Sequence, residues 1–390
     1  MRGRNSGSGA SDLFLCAEHV VRPDGEGPGC VRIREDRIAD VLAAAPAGAR
    51  SEAFGEAWIA PGFIDLHMHG LAGVAVEGID DAGLRTVAAT LARHGVTAFL
   101  LSTMAAPEDR LRRTLRAVAG LPGVPGAVCL GVHLEGPFLS PDRAGAQDSG
   151  HCRPADPGEA ARLLEAGGGK VRAVTLAPEH DRDLAVTRYL AGRGIVVSLG
   201  HSAAPYETVV AAARAGASTV THLFNAMPPF HHREPGLVGA ALTEPGLIPE
   251  LIADGVHLDD AAIALAVRCR GSRGCMLVSD SIPATGLADG DHALGGRPVR
   301  VRDGIARTAD GRLAGSTLTL DRAVLRTARA AGIPVAAAAR MAGQVPAGVI
   351  GDRERGVLAP GRRADLTVFD ASGVRLTLVG GRVAWRRAGA

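Results

Sequence analysis

The sequence contains a single lysine, Lys170, so arginine supplies nearly all of its basic residues. Its six cysteines show no CxxC pair and no regular spacing, and they therefore indicate no disulfide framework. No apolar run reaches the roughly 20 residues that a membrane-spanning helix needs. The Gly/Ser-rich start lacks the apolar segment of a secretory leader. These absences predict a cytoplasmic protein with reduced thiols.

The charge balance gives no sign of a macromolecular partner. Forty-three basic residues against 41 acidic residues leave a formal net charge of +2, which is too even to indicate nucleic-acid or membrane-surface binding. Of the 390 residues, 46% are hydrophobic, so the chain has enough apolar material for a large buried core and is not a disordered protein. Any indication of function must come from individual sites.

Both ends of the chain have the short apolar runs and turn signals of small antiparallel sheets; near the carboxyl end such runs lie at residues 356–358, 365–369, 374–378 and 382–385. The middle differs, because eight apolar runs alternate there with stretches of helical spacing. The runs are residues 63–66, 96–101, 128–134, 171–176, 195–199, 219–221, 251–253 and 276–279, and the clearest helical stretches are residues 81–93, 160–166, 183–191, 206–215 and 259–267.

An eightfold alternation of strand and helix is the pattern of an α/β protein with a closed (β/α)8 barrel of the TIM type. The competing interpretation is a doubly wound open sheet, but no GxGxxG motif follows the first strand. We therefore predict the barrel at residues 59–354, flanked by β-rich segments at residues 1–58 and 355–390, with residues 1–10 disordered.

Polar side chains follow six of the eight runs, at the strand ends where a barrel places its active site. We expect these side chains to meet at one end of the barrel. They are His67 and His69 after the first run, Glu135 after the third, His201 after the fifth, His222 after the sixth, Asp254 and His257 after the seventh, and Asp280 after the eighth.

Five of these residues suggest a metal centre. The i, i+2 spacing of His67 and His69 puts both imidazoles on one face of a strand. Glu135 ends an apolar strand, where a carboxylate without a nearby cation is costly. With His201 and His222 it forms a His2Glu set that leaves a position for water, as catalytic metal sites do. Taken singly, these residues could be polar turn residues, an ion pair with an arginine or core histidines; their coincidence favours a metal.

Asp280 has two possible roles. It is either one more metal ligand or the base that accepts a proton from the attacking water and later returns it. Because three protein ligands already suffice for a catalytic metal, we favour the base.

Six motifs occur in a fixed order: PGFIDLHMHG (61–70), HLEGPF (133–138), THLFNAM (221–227), REPG (233–236), IADGVH (252–257) and LAGS (313–316). In this combination they resemble the N-acetylglucosamine-6-phosphate deacetylases of the amidohydrolase superfamily. The resemblance runs from about residue 59 to residue 360. The β-rich ends are similar to the small β-sandwich domain that this superfamily builds from both termini.

The resemblance implies metal-dependent deacetylation of N-acetylglucosamine-6-phosphate to glucosamine-6-phosphate and acetate. Glu135, His201 and His222 would bind the main divalent ion. His67 and His69 would hold a second ion, with Glu135 bridging the two. One or two ions per subunit are expected, and zinc, iron, manganese and cobalt all suit a site of histidines and carboxylates.

The resemblance also implies that Asp280 is the general base and acid when a metal-activated hydroxide attacks the acetamide. It further implies a homodimer whose phosphate site is completed across subunits, and no nucleic-acid or membrane partner. The implied substrate-binding residues are Ala146, Gln147, Asn225, Ala226, Arg233, His257, Leu313, Ala314 and Gly315.

Gln147 departs from the family pattern, which has a histidine at this position that is thought to polarise the scissile carbonyl. The Gln147 amide can donate a hydrogen bond but cannot carry a positive charge. Either the metal ions take over more of the polarisation, or the substrate is a related N-acetylated amino sugar. The nearby His151 substitutes only if its loop folds back, and a solvated loop histidine is the simpler interpretation.

Two alternatives come from other classes. Dihydroorotase-like and hydantoinase-like ring openers resemble the chain in the HxH motif, but they bridge two metals with a carboxylated lysine at the end of strand four. Here the fourth run ends before Glu179, and Lys170 lies at its other end, so this chemistry is excluded. The second alternative is a sugar-phosphate binding protein without catalysis, which an assay of metal-dependent acetate release would separate from an enzyme.

Overall fold

The computed structural model describes residues 12–389. Its strands are β1 (Leu13–Val21), β2 (Glu26–Arg34), β3 (Arg37–Leu42), β4 (Ser51–Ala53), β5 (Trp58–Pro61), β6 (Phe63–Asp65), β7 (Gly70–Leu71), β8 (Val74–Ala75), β9 (Val96–Thr103), β10 (Val128–Glu135), β11 (Val171–Leu176), β12 (Val196–Leu199), β13 (Thr219–Val220), β14 (Ile248–Leu251), β15 (Met276–Leu277), β16 (Gly290–Leu294), β17 (Arg297–Arg302), β18 (Ile305–Thr308), β19 (Leu366–Asp370), β20 (Gly373–Val379) and β21 (Arg382–Arg386). The α-helices are α1 (Asp81–Arg93), α2 (Glu108–Gly120), α3 (Pro157–Ala166), α4 (Ala185–Ala191), α5 (Tyr206–Arg214), α6 (Gly236–Thr243), α7 (Asp260–Arg270), α8 (Leu320–Ala331), α9 (Val335–Ala342) and α10 (Gln344–Val349).

Eight parallel strands form the barrel. Hydrogen-bonded neighbours follow the order β6, β9, β10, β11, β12, β13, β14, β15, and one helix from α1 to α8 comes after each strand. The ring is completed just beyond β6 and β15, where Met68 pairs with Ser281. There the Asp280 amide donates to the His67 carbonyl at 2.9 Å. The predicted (β/α)8 barrel is confirmed.

Each of the eight apolar runs corresponds to a barrel strand. The agreement is best in β11, which spans the predicted residues 171–176. It is poorest in β14, which spans Ile248–Leu251 rather than the predicted residues 251–253. Because that strand contains Pro249 and Glu250, it is not a continuous apolar run, and the apolar pattern of the sequence does not mark it.

The helices bury one face against the barrel, as α1 illustrates. It begins after Asp80, whose carboxylate accepts a hydrogen bond from the Gly83 amide at 2.8 Å, a common way to satisfy the free amides of a first turn. Leu84, Val87 and Leu91 recur at helical spacing and are buried. The sequence predicts this helix at residues 81–93, and the structure has it there.

Strands from both ends of the chain form one sheet in the order β21, β20, β19, β5, β1, β2, β3, with β4 beside β1. The antiparallel pairing of β19 with β5 joins the two ends. This domain has its own apolar core, which includes Leu15, Ile59 and Leu376. The predicted β-sandwich from both termini is confirmed. The proposed limits at residues 58 and 355 stay predictions, and the predicted disorder of residues 1–10 lies outside the described residues.

Two features of the secondary structure differ from the predictions. An antiparallel sheet of β16, β17 and β18, which was not predicted from the sequence, is inserted between β15 and α8. Its middle strand alternates buried Val299 and Val301 with exposed arginines, but the pattern is too short to be distinctive. The strand predicted at residues 356–358 is wrong. This segment is irregular, and Gly356 at its start has φ 81°, far from the φ of about −120° to −140° of an extended strand.

The prediction of reduced thiols is wrong for one pair. Cys16 and Cys30 are direct partners in the antiparallel pairing of β1 and β2, their Cα atoms are 4.1 Å apart, and they form a disulfide. The register of β1 and β2 brings these residues together, and no sequence motif marks that register.

Among residues 12–389, no helix combines the length and apolar character needed to cross a membrane. The cytoplasmic location stays a prediction.

Asp365 ties the carboxyl-terminal strands to the start of the barrel. Its buried carboxylate accepts hydrogen bonds from Arg355 Nε at 2.8 Å, from Arg363 Nε at 3.0 Å and from the Gly380 amide at 2.6 Å. Its main-chain carbonyl accepts one from the amide of Gly62, which links β5 to β6, at 3.0 Å. One acidic residue thus anchors both domains.

Replacing Asp365 with alanine should lower the free energy of unfolding by about 3 kcal/mol, because Arg363 and Arg355 lose a buried ionic partner. Arg355 keeps its second partner, Asp352, at 2.8 Å. Urea unfolding followed by circular dichroism measures this. As a control, Asp291→Ala removes an exposed carboxylate paired with Arg300 and should change stability by less than about 1 kcal/mol. Equal unfolding midpoints for the two variants would contradict the role given to Asp365.

Candidate active site

The structure brings six of the predicted residues together at the carboxyl end of the barrel. All six side chains are buried. Their ligand atoms form two groups, each within 4.8 Å: His67, His69 and Asp280 in one, and Glu135, His201 and His222 in the other.

Glu135 connects the two groups. Its Oε1 lies 3.2 Å from Nε2 of His201 and 3.2 Å from Nε2 of His222. The same oxygen is 3.2 Å from His67 Nε2, and Oε2 is 3.2 Å from His69 Nε2. One carboxylate therefore contacts all four imidazoles, the arrangement expected of a ligand shared by two ions.

Three of the imidazoles are held through their outer nitrogens. His67 Nδ1 contacts Glu250 Oε2 at 2.9 Å. His69 Nδ1 contacts the carbonyl oxygen of Ser102 at 3.1 Å, and His201 Nδ1 contacts that of Arg143 at 2.8 Å. Because these partners accept hydrogen bonds, each Nδ1 carries a proton, and Nε2 is the nitrogen that faces the centre and is available to a metal ion. His222 Nδ1 is buried without a hydrogen-bond partner among the described residues.

Neighbouring charges favour the protonated form of His67 and the ionised form of Glu135. Burial alone would lower the pKa of His67, but the carboxylates of Glu135, Glu250 and Asp280 outweigh it and raise that pKa well above its ordinary value. Burial also opposes ionisation of Glu135, yet His67 and His201 hold its pKa well below its usual range. In residues 12–389 no arginine or lysine forms an ion pair with these three carboxylates. The site therefore needs positive charge from imidazole protons or from bound cations.

The backbone is strained where the strands deliver three of these residues. His201, His222 and Asp280 have φ values of 48°, 31° and 49°. Residues with a side chain rarely adopt this left-handed conformation, which costs about 1–3 kcal/mol and is concentrated at functional sites. Each lies within three residues of the end of a barrel strand, so the turn aims its side chain toward the centre.

Gln147 lies in the site, although it interrupts the family pattern. Its amide nitrogen donates a hydrogen bond to Glu135, and its amide oxygen accepts one from the Ala105 amide at 2.7 Å. Arg297 holds the surrounding segment by donating to the carbonyl oxygens of Ala146 and Gln147 at 3.1 and 2.9 Å. The inserted sheet thus fixes the position of Gln147. The alternative residue His151 lies away from the cavity, 3.8 Å from Asp148.

A cavity of about 270 Å³ opens onto five of the six residues, all except the fully buried His67. It is lined by seven of the nine predicted substrate-binding residues: Ala146, Gln147, Asn225, Ala226, His257, Leu313 and Gly315. His257 is held by Asp254, whose carboxylate contacts its Nδ1 at 2.7 Å. Two predicted residues are elsewhere: Ala314 is buried in the apolar core under the inserted sheet, and Arg233 is exposed outside the cavity.

Several residues of the site were not predicted from the sequence. Met104, Gly145, Leu294 and Arg312 also line the cavity. Arg312 directly precedes the LAGS motif, and its position was the one available signal. Glu250 lies inside a strand rather than beyond its end, so the search of strand ends could not find it.

His133 shows why a buried histidine need not be a ligand. It points into the barrel from β10, and its ring nitrogens contact Ser102 Oγ at 2.9 Å and Thr175 Oγ1 at 2.8 Å. Burial and the nearby His67 lower its pKa well below the ordinary value. His133 is therefore a neutral part of a hydrogen-bonded layer beneath the site.

Comparison with known proteins agrees with this geometry. Residues 58–384 match the model of the Amidohydrolase family, and the chain belongs to this family. Its relatives there include the N-acetylglucosamine-6-phosphate deacetylase of Bacillus subtilis, 36% identical over 96% of both chains. The N-acetylgalactosamine-6-phosphate deacetylase of Escherichia coli O157:H7 is 40% identical over 80% of this chain and 84% of the relative.

Solved structures give the same result. A structure of the Mycobacterium smegmatis N-acetyl-D-glucosamine-6-phosphate deacetylase superposes with a TM-score of 0.89 and 35% identity, covering 95% of this chain and 99% of that one. The Thermotoga maritima N-acetylglucosamine-6-phosphate deacetylase superposes with a TM-score of 0.84 and 34% identity, covering 95% and 98%. The resemblance drawn from the six motifs is confirmed.

We expect the wild-type protein to bind two divalent ions per chain, and Glu135→Gln to lose both, because both groups share its charge. His69→Asn should lose one ion and retain the other. Elemental analysis after loading with zinc and desalting measures the content. His133→Asn is the matched control and should keep both ions. Two equivalents retained by Glu135→Gln would rule out a shared carboxylate.

Proposed function

We propose that this protein hydrolyses the acetamide of N-acetylglucosamine-6-phosphate, producing glucosamine-6-phosphate and acetate. One observation carries the proposal: Glu135 joins two groups of metal-binding side chains at the base of a cavity that also contains Asp280. Relatives that share most of the chain are deacetylases of phosphorylated amino sugars.

The donor set fits divalent metal ions. It consists of buried imidazole nitrogens and carboxylate oxygens, which zinc, iron, manganese and cobalt all accept. Glu135, His201 and His222 would hold one ion, and His67 and His69 a second. When bound, such an ion makes water more acidic and draws electron density from an amide carbonyl. The identity and the number of the ions are part of the proposal.

Asp280 is positioned to move the proton. Its Oδ1 lies 3.6 Å from His67 Nε2 and 3.4 Å from His69 Nε2, and the residue lines the cavity. Its main chain is held on both sides, since its amide donates to His67 and its carbonyl accepts from the Ser316 amide at 2.8 Å. We assign Asp280 to accept a proton from the attacking water and deliver it to the departing amine, which is a poor leaving group until protonated.

The phosphate requires positive charge at the cavity. Among the residues that the structure describes, Arg312 is the one arginine or lysine that lines it, and Arg312 Nη1 donates to the Gly145 carbonyl at 3.2 Å. Arg233 lies outside, with its guanidinium 2.9 Å from His232 Nε2. We propose a homodimer in which Arg233 of a second copy joins Arg312 at the phosphate, because an arginine fork matches phosphate oxygens.

A second candidate substrate is N-acetylgalactosamine-6-phosphate. The 40% identity to a deacetylase of that sugar supports it, and so does the replacement of the family histidine by Gln147. The two sugars differ at one hydroxyl group, which the cavity must distinguish through a polar contact.

Release of acetate tests the proposed function. The wild-type enzyme should release acetate from N-acetylglucosamine-6-phosphate faster than from the galactosamine isomer, and it should lose activity when a chelator removes the metal.

Asp280→Asn should reduce turnover at least about 100-fold, the usual contribution of a general base, while retaining the ion at Glu135. Near-normal turnover with that ion in place would exclude Asp280 as the base. No acetate release by the metal-loaded wild type would support the non-catalytic binding protein instead.

Comparison of phosphorylated and unphosphorylated sugars tests the phosphate site. Arg233→Ala and Arg312→Ala should each raise KM for the phosphorylated substrate about tenfold or more, the cost of losing a hydrogen bond to a charged group. KM for N-acetylglucosamine should not change. Arg300→Ala, which removes an exposed arginine of the inserted sheet, is the control. If only Arg312 matters, the phosphate site is complete within one chain.

A further inference from the structure

Glu250 has two contacts that link the two groups of metal-binding residues. Its side chain is buried at the inner face of β14, only 3% exposed. Oε2 lies 2.9 Å from His67 Nδ1 and also accepts a hydrogen bond from the main-chain amide of His222 at 3.1 Å. His67 belongs to one group and His222 to the other.

The contact with His67 determines which imidazole nitrogen carries the proton. An ionised carboxylate can only accept hydrogen bonds, so His67 Nδ1 must donate. Nε2, 3.2 Å from Glu135 Oε1, is then the nitrogen of His67 that is available to an ion. His69 and His201 achieve the same orientation with main-chain carbonyls. Within residues 12–389, Glu250 is the one side chain that makes such a contact with the outer nitrogen of a grouped histidine.

The contact with His222 supports a strained turn. His222 has φ 31°, and its outer nitrogen has no hydrogen-bond partner in the part of the chain that the structure describes. Its orientation therefore depends on its main chain. The Leu223 amide also donates to the main-chain carbonyl of Glu250 at 2.9 Å, so one residue of β14 holds two consecutive amides of that turn.

We propose that Glu250 is a positioning residue for the metal centre. Its carboxylate fixes the proton and the orientation of His67, and it braces the turn that carries His222. The inference rests on the proposed metal-dependent function, and it adds a residue that belongs neither to the cavity lining nor to the two ligand groups.

The variant Glu250→Gln keeps the size of the side chain and removes its charge. The amide can also present N–H to His67 Nδ1, which would move the imidazole proton to Nε2 and toward the centre. We expect the affinity for the ion at His67 and His69 to fall about 10-fold to 100-fold, as is usual when such an outer partner is lost. The ion at Glu135, His201 and His222 should be affected less.

Competition with a coloured zinc chelator measures both affinities without relying on activity. The control is Asp181→Asn. Asp181 is also a buried carboxylate, but it accepts hydrogen bonds from Val186 and Thr187 and contacts none of the grouped residues. Both zinc affinities of this variant should equal those of the wild type.

A double-mutant cycle separates positioning from general destabilisation. If Glu250 acts through His67, Glu250→Gln should add little to the loss of zinc affinity already caused by His67→Asn. Wild-type affinities in folded Glu250→Gln, or effects that add fully in the double variant, would overturn the inference. Neither result depends on acetate release, so the inference can fail while the deacetylase function stands.

Discussion

A single buried carboxylate, Glu135, organises the active end of this protein. An ionised carboxylate in a barrel interior is unfavourable unless positive charge surrounds it, and four imidazoles from three strand ends contact its two oxygens. Those imidazoles can share protons or metal ions with it, whereas apolar side chains in their place would leave its charge without compensation. The rest of the site depends on this requirement, because each strand end must present its side chain to one point.

Closure of the barrel and construction of the site depend on the same residues. β6 and β15 meet through hydrogen bonds of His67, His69, Asp280 and Ser281 just beyond the strands. A change that opened this seam would also move the histidine pair and the proposed base. The inserted sheet acts at another part of the cavity, where Arg297 holds the main chain around Gln147. The cavity therefore lies between the seam of β6 with β15 and the segment around Gln147. The barrel strands alone do not fix the position of either one.

Much of this arrangement could be predicted from the sequence, because a strand end in a barrel is recognisable as a polar residue that comes directly after an apolar run. His67, Glu135, His201 and the other grouped residues were found in this way. Glu250 was not found, since it lies within a strand whose apolar pattern is broken by its own charge and by Pro249. The inserted sheet was missed for a related reason: its alternation spans a few residues and its arginines resemble a loop.

The sequence by itself determined the barrel, the ends that build the second domain, and the set of histidines and carboxylates, because periodicity and local residue order are properties of the chain. Only the tertiary structure decided which atoms meet. It alone showed that Glu135 contacts both histidine groups, that Cys16 faces Cys30 across two strands, and that Arg312 reaches the cavity while Arg233 does not. These contacts depend on strand register and turn geometry between residues that are distant in sequence, and spacing along the chain does not encode them.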